Sequence, residues 1–230
     1  MTVALTPAQR RGLSVGVATG LYGISFGALA VAAGLSVAQA SALSLLMFTG
    51  GSQFAFVGVV AGGGSLGSAT AAASLLGVRN AIYGVTANAM LRPRRWRRFA
   101  AAQVTIDESI ATASAAEDAD EERRGFWAGG LAVFVLWNLF TVVGALVGDA
   151  LGDPAAWGLD GAAVAAFLGL LWPRLRGRDP VAVAVVAAVV TVAVAPAVPP
   201  GIPIIIAAAV ALAMTAAQHR RRAGSGAVRP

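Results

Sequence analysis

Seven apolar stretches recur along this chain, at about 12–34, 37–62, 66–90, 126–148, 155–173, 180–197 and 202–217. Most approach or exceed the 20 or so residues that a helix needs to cross a hydrocarbon core of roughly 30 Å. Within such a core every backbone N–H and C=O must be satisfied inside the chain, so segments of this kind resolve into helices. The predicted fold is therefore all-α, a polytopic helical membrane protein of about six to seven transmembrane segments. Composition supports this: 57% of the residues are hydrophobic and 12% charged, and the mean hydropathy is +0.75, which excludes a water-soluble domain of this size.

One polar region, 92–125, interrupts the pattern, and it sets the domain organisation. A single transmembrane domain is expected over 1–217, with halves 1–91 and 126–217 joined by this region, and 218–230 reads as a disordered cytoplasmic tail. The net charge of +6 comes from seventeen basic residues, all arginine, gathered beside apolar segments. That placement fits membrane topology and contact with anionic headgroups of the bilayer rather than nucleic acid, which is not expected as a partner. There is no cysteine, and the single histidine, His219, lies in the tail. Thiol chemistry and a histidine metal site or proton wire are thereby excluded; no cofactor and no metal is expected. Arg10-Arg11 precede a span too long and too glycine-rich for a cleaved signal sequence, so it reads as a first transmembrane helix that is retained.

Arginines at 10–11, 92–98, 174–178 and 220–222 mark cytoplasmic regions, whereas Asp149, Asp153 and Asp160 suit the outer side. Two cytoplasmic termini require an even number of crossings, yet three apolar segments join the first two arginine clusters. One of the three should enter and leave on the same side. The second, 37–62, is interrupted at Thr49-Gly50-Gly51-Ser52-Gln53, which is poor in helix propensity and rich in groups that bond locally. It is expected to form two half-helices as a re-entrant hairpin. The competing solution makes 99–116 a polar fourth crossing, with the arginines of 92–98 outside.

Four groups of polar residues stand out from packing positions such as the every-fourth glycines Gly12, Gly16 and Gly20, Gly23 and Gly27, and Gly144, Gly148 and Gly152. The break, with Gly50, Gly51, Ser52 and Gln53, would offer free amides at one half-helix end and free carbonyls at the other. Those two ends suit the carboxylate and ammonium of a zwitterion. Arg79, Asn80 and Tyr83 lie within the third segment, where a guanidinium costs roughly 2.5–3.5 kcal/mol at bilayer mid-depth and so should face a polar interior. Arg79 is read equally as a bidentate substrate anchor and as the permanent partner of a protein carboxylate, Asp107 or Asp160. Asp107 and Glu108, with Thr105 and Ser109, are candidates for proton coupling, against the plainer reading of a solvated amphipathic helix. Asp160 joins them as a further candidate, against an N-cap role, and Trp137-Asn138 with Thr141 form the last group.

In order along the chain, Gly20-Leu21-Tyr22-Gly23-Ile24-Ser25-Phe26-Gly27, Phe48-Thr49-Gly50-Gly51-Ser52-Gln53-Phe54, the arginine-bearing third segment ending in Tyr83-Gly84, Asp107-Glu108, Gly158-Leu159-Asp160 and Pro199-Pro200-Gly201 resemble the AzlC family. The resemblance implies the large subunit of a bacterial inner-membrane exporter of branched-chain amino acids, in some members also methionine, working with a small hydrophobic AzlD-type subunit. One departure stands out: Arg79-Asn80 occupies a place where an Arg-His pair is expected, so no titrating histidine carries over. No ATP-binding motif and no coupling helix accompanies the pattern, which points to secondary transport driven by the proton gradient. An intramembrane enzyme is not expected, since no base or metal cluster lies within the apolar segments. A non-transporting scaffold or partner subunit, a transporter of another small solute, and homo-oligomerisation stay open.

Overall fold

A computed structural model describes residues 4–152, 156, 168–169 and 171–226. Every regular element among them is helical: α1 (Pro7–Gly20), α2 (Tyr22–Ala32), α3 (Val37–Leu46), α4 (Gly51–Ala61), α5 (Leu66–Leu91), α6 (Arg97–Gln103), α7 (Asp107–Ser114), α8 (Ala119–Leu151), α9 (Arg178–Val194) and α10 (Ile202–Gly226), with short 3-10 turns at Trp172–Arg174 and Ala195–Ala197. Among the described residues, four spans are long and apolar enough to cross a membrane: Pro7–Ala32, Ala119–Leu151, Arg178–Ala197 and Ile202–Arg220. α5 has the length as well, about 39 Å at 1.5 Å per residue, but carries more polar residues. The last two of the four spans bury none of their residues fully; Val185, Val189, Val192 and Leu212 face outward, as on lipid-facing helices, while Ile204 packs against Val59, Ala69 and Ala72.

Local chemistry explains where several helices start. Thr6 and Gln9 exchange side-chain and backbone bonds ahead of Pro7, and Ser36 and Gln39 repeat the arrangement at α3. The Asp118 carboxylate accepts from the amides of Asp120 and Glu121, both at 2.9 Å, and opens α8 seven residues before the expected start of its apolar segment. α1 and α2 are separated only by Leu21, so the first expected segment is one continuous span.

The glycines of α1 and α2 decide how this span packs. Gly12 lies against Gly129, Gly16 against Ala132, Gly20 against Leu136, Gly23 against Trp137 and Gly27 against Thr141 and Ala145. The numbers rise together, so α8 runs parallel to α1 and α2, with backbones in contact. Gly144 and Gly148 belong to the same seam, against Ile24 and Ala28; Gly152 does not, and terminates α8 with φ +73°.

Two parallel neighbours require the chain between them to make one net return, and α5 supplies it. Its first residue, Leu66, lies beside Ala33, Leu35 and Gln39 at the far end of the bundle. Near its other end, Ala87 packs with Phe126 at the near end, where α1 and α8 begin. α3 runs inward from the far end to Met47, and α4 returns there, since Phe56 and Val60 share the neighbourhood of Leu35 and Gln39. α6 and α7 do the same from the near end. Ala101 and Val104 pack with Ala87 and Phe126, and Arg11 donates through Nη1 to the Ala115 carbonyl at 2.7 Å just after α7. The expected break in 37–62 is thus present, at Met47–Gly50.

Two expectations need correction, and a third is not covered by the described residues. The stretch 99–116 is neither one amphipathic helix nor a crossing; it is two short helices folded back at Val104-Thr105-Ile106. Three consecutive β-branched residues of low helix propensity account for that break. The expected tail from 218 is helical through Gly226. The greater part of the fifth segment, 155–173, with Asp160 and the Gly158-Leu159-Asp160 motif, lies outside the described residues, as does Asp153.

Candidate functional site

The two folded-back pairs meet at mid-depth, and adjacent residues of α5 hold one break each. Arg79 Nη2 donates to the Thr49 carbonyl at 3.1 Å, and Asn80 Nδ2 donates to the Thr105 carbonyl at 3.2 Å. Both carbonyls belong to backbone that has left the helical hydrogen-bond ladder, so two polar side chains on α5 supply partners that water would otherwise provide. Arg79 stands thirteen residues from the start of α5 and twelve from its end, which places it at the level where α3–α4 and α6–α7 converge.

The second guanidinium nitrogen settles which carboxylate Arg79 pairs with. Nη1 donates to Asp107 Oδ2 at 2.9 Å, and Arg174 Nη2 donates to the same oxygen at 2.7 Å. Asp107 thus joins α5, α7 and the turn that precedes α9. Arg174, read from the sequence only as a topology marker, is a member of this network. Glu108 has no ion-pair partner among the described residues, although it lines the same cavity.

That cavity, of about 100 Å³, is lined by the apolar side chains of Phe48, Phe54, Ile106, Val133 and Trp137 and by the more polar Thr49, Gly50, Gly51, Arg79, Asp107 and Glu108. It has room for several water molecules or a small solute. The apolar wall is rigid: Phe26 contacts Phe54 edge-on at 5.6 Å and lies near-parallel to Trp137 at 6.1 Å, and Phe48 meets Phe134 edge-on at 5.0 Å. The polar wall is under-satisfied. Thr49 Oγ1, Asp107 Oδ1, Arg79 Nε and Trp137 Nε1 are buried without a protein partner, and α4 begins with no side-chain cap on its first amides. Unpaired polar atoms in a dry interior cost about 1–3 kcal/mol each, so their concentration here marks a place built around something polar.

The sequence candidates divide accordingly. Gly50, Gly51, Arg79, Asp107 and Glu108 line the cavity. Asn80 is adjacent through its hold on Thr105. Gln53, fully buried, instead closes the end of α3, with Nε2 donating to the Leu43 and Ser44 carbonyls at 3.3 and 3.2 Å. Ser52 turns toward Gly77 of α5, beside a second hollow with Thr70 and Ser74. Tyr83 does not line the cavity. Thr141 bonds to Ser44 across helices at 3.2 Å, and Asn138 Nδ2 bonds to Phe134 of its own helix at 2.7 Å. Trp137 belongs to the cavity wall through its ring and its free N–H; an indole inside an apolar segment gives a sequence no sign of which of the two matters.

Gly50 carries the backbone through φ +61° and ψ −86°, a conformation that L side chains rarely adopt. A Cβ there would meet nothing within 4 Å. Gly50→Ala is therefore expected to lower stability by about 1–3 kcal/mol through strain alone, whereas Gly58→Ala in the middle of α4, equally open, should be neutral or slightly stabilising. Thermal melting of the two purified variants in detergent checks this, and equal melting temperatures would refute the strain.

Membrane-length helices around a mid-depth cavity made by two chain breaks and an ion pair define a multi-pass membrane protein of the transport class. The chain belongs to the AzlC protein family, whose family model matches residues 14–151 and so ends with the last residue of α8. Among the described residues that line the cavity, all but Gly169 lie in the matched region. No curated protein and no solved structure matches the chain.

Proposed function

We propose that this protein is the large subunit of a two-component secondary exporter of leucine, isoleucine and valine, with methionine as a further substrate, in the bacterial inner membrane. It moves its substrate unchanged and is not an enzyme. The observation that carries this reading is the cavity between the two chain breaks. One wall is aromatic and aliphatic, suited to a branched side chain, and the other gathers paired charges and unpaired donors and acceptors, suited to a zwitterionic head. Membership of the AzlC family supports a membrane transporter of this kind that works with a small partner subunit; the branched-chain substrates, the outward direction and the AzlD-type partner are what the resemblance in the sequence implies.

In the bilayer, α3–α4 is re-entrant from the outer side and α6–α7 from the cytoplasmic side. With the apolar stretch 155–173 counted from the sequence as one crossing, six crossings leave both termini inside, as the arginine clusters require. Arg79 serves as the organiser of the site, since both its terminal nitrogens are held by the protein. Of the two adjacent carboxylates, Asp107 is committed to Arg79 and Arg174. Glu108 faces the cavity beside those three charged groups without an ion pair of its own, which makes it the better candidate to exchange a proton as transport proceeds.

Cells loaded with leucine-, isoleucine-, valine- or methionine-containing dipeptides should release the free amino acid faster when they express the chain with its small partner. A protonophore should abolish the difference. No release in any combination, with membrane insertion confirmed, would favour a scaffold subunit or another solute.

A further inference from the structure

The polar groups at the cavity are of two kinds, and on the reading above they fix how an amino acid lies in it. The first are donors without acceptors. α4 presents the amides of Gly51 and Ser52 with no cap, at the positive end of an eleven-residue helix. Trp137, 4% exposed and lining the cavity, has an indole N–H with no protein acceptor. An N–H buried in this way calls for an acceptor from outside the chain. The nearby guanidinium adds positive potential, since Arg79 Nη2 would lie 3.1 Å from a Cβ placed on Gly51. The second are acceptors: Asp107 Oδ1, buried and unpaired, and the carboxylate of Glu108, which has no ion-pair partner among the described residues, both at the first turn of α7.

We propose that the cavity seats its amino acid in one orientation, with the α-carboxylate on the α4 amides and the Trp137 indole N–H, and the α-ammonium on Glu108 with Asp107 Oδ1. The branched side chain then lies against Phe48, Phe54 and Val133. The two charged ends of the substrate are held by different hairpins, α4 from one and α7 from the other, so an intact zwitterion adds a bridge between hairpins that Arg79 and the Gln103 Nε2 bond to the Leu45 carbonyl already join. Trp137 is a binding residue on this assignment, and its ring packing a separate property that phenylalanine keeps.

Two half-ligands separate the seats: isocaproate, which is leucine without its ammonium, and isoamylamine, which is leucine without its carboxylate. Each is tested as an inhibitor of labelled leucine binding to the purified full chain with its partner, in wild type, Trp137→Phe and Glu108→Gln. Loss of one charge-assisted hydrogen bond corresponds to about a tenfold weakening. Trp137→Phe should weaken isocaproate by about that factor and leave isoamylamine unmoved, and Glu108→Gln should do the reverse. The opposite pairing, or equal weakening of both half-ligands by both variants, would overturn the orientation while leaving a leucine site intact. Absence of leucine binding to the wild type would overturn the functional reading and this proposal together. Glu108→Gln is nearly isosteric, so it keeps the test informative should Trp137→Phe fail to fold.

Discussion

Arg79→Ala is expected to export nothing, although it should still reach the membrane. The wild-type guanidinium has two fixed duties, on the Thr49 carbonyl and on Asp107 Oδ2, and alanine performs neither. Thr49 is left with an unpaired carbonyl at bilayer depth. Asp107 retains only Arg174, whose side chain is more than half exposed. Breaking a buried pair by removing one partner costs about 3 kcal/mol at the lower end of the usual range, which applies here because Arg79 is about a quarter exposed. The first break then loses its anchor to α5, and with it the wall of the cavity. Arg79→Lys separates the duties, since an ammonium keeps the charge for Asp107 but lacks the planar fork that reaches both partners. It should retain stability better than activity. Efflux per unit of protein in the membrane, measured with melting temperature, checks both variants; wild-type efflux from Arg79→Ala would remove the proposed organiser.

Gly27→Leu fails earlier, at folding. A Cβ on Gly27 would sit on the Thr141 carbonyl oxygen and 2.6 Å from the Ala145 amide of α8, and backbone cannot rotate aside as a side chain can. α2 and α8 would have to separate, opening the seam that also carries Phe26 and Trp137. More than about 4 kcal/mol is expected, in the class of substitutions that abolish a fold. Gly84→Ala on α5 is the matched comparison: nothing lies within 4 Å, and alanine is the better helix former by about 1 kcal/mol. Protein recovered as a monodisperse peak from detergent extracts should vanish for the first and equal or exceed wild type for the second. Normal recovery of Gly27→Leu would mean that the seam is not what holds the bundle.

Much of this was legible beforehand because the interruption and the charge are both expensive in an apolar setting. Thr49-Gly50-Gly51 marked a break, and Arg79 inside an apolar run marked a polar interior, with Asp107 one of two partners that could be named. The glycine spacing gave a packing face, though not its partner or the parallel sense, which emerge only when α8 is laid beside α1 and α2. The second break was harder. Val104-Thr105-Ile106 contains no glycine or proline, and its flanks read as an amphipathic helix, so only the run of β-branching carried the signal. Arg174 was disguised by its neighbours, since three arginines at alternate positions look like a topology signal whether or not one of them turns inward. Gln53 and Ser52 show the opposite error: polarity at a break recruits side chains to close helix ends as readily as to meet a ligand.

The glycine seam also limits which parts of the molecule can move. Side chains that interdigitate can change rotamer and let helices slide, but α1–α2 and α8 meet through bare main chain at Gly12, Gly23 and Gly27, where displacement by one residue would drive Cβ atoms into carbonyls. These helices act as a stator. The short pairs α3–α4 and α6–α7 are the complementary parts: each is anchored to a longer helix at one end of the bundle, and their tips meet on α5, where Arg79 holds Thr49 and Asp107 and Asn80 holds Thr105. A swing of either tip against this fixed column would have to release Arg79, the residue that the two tips share.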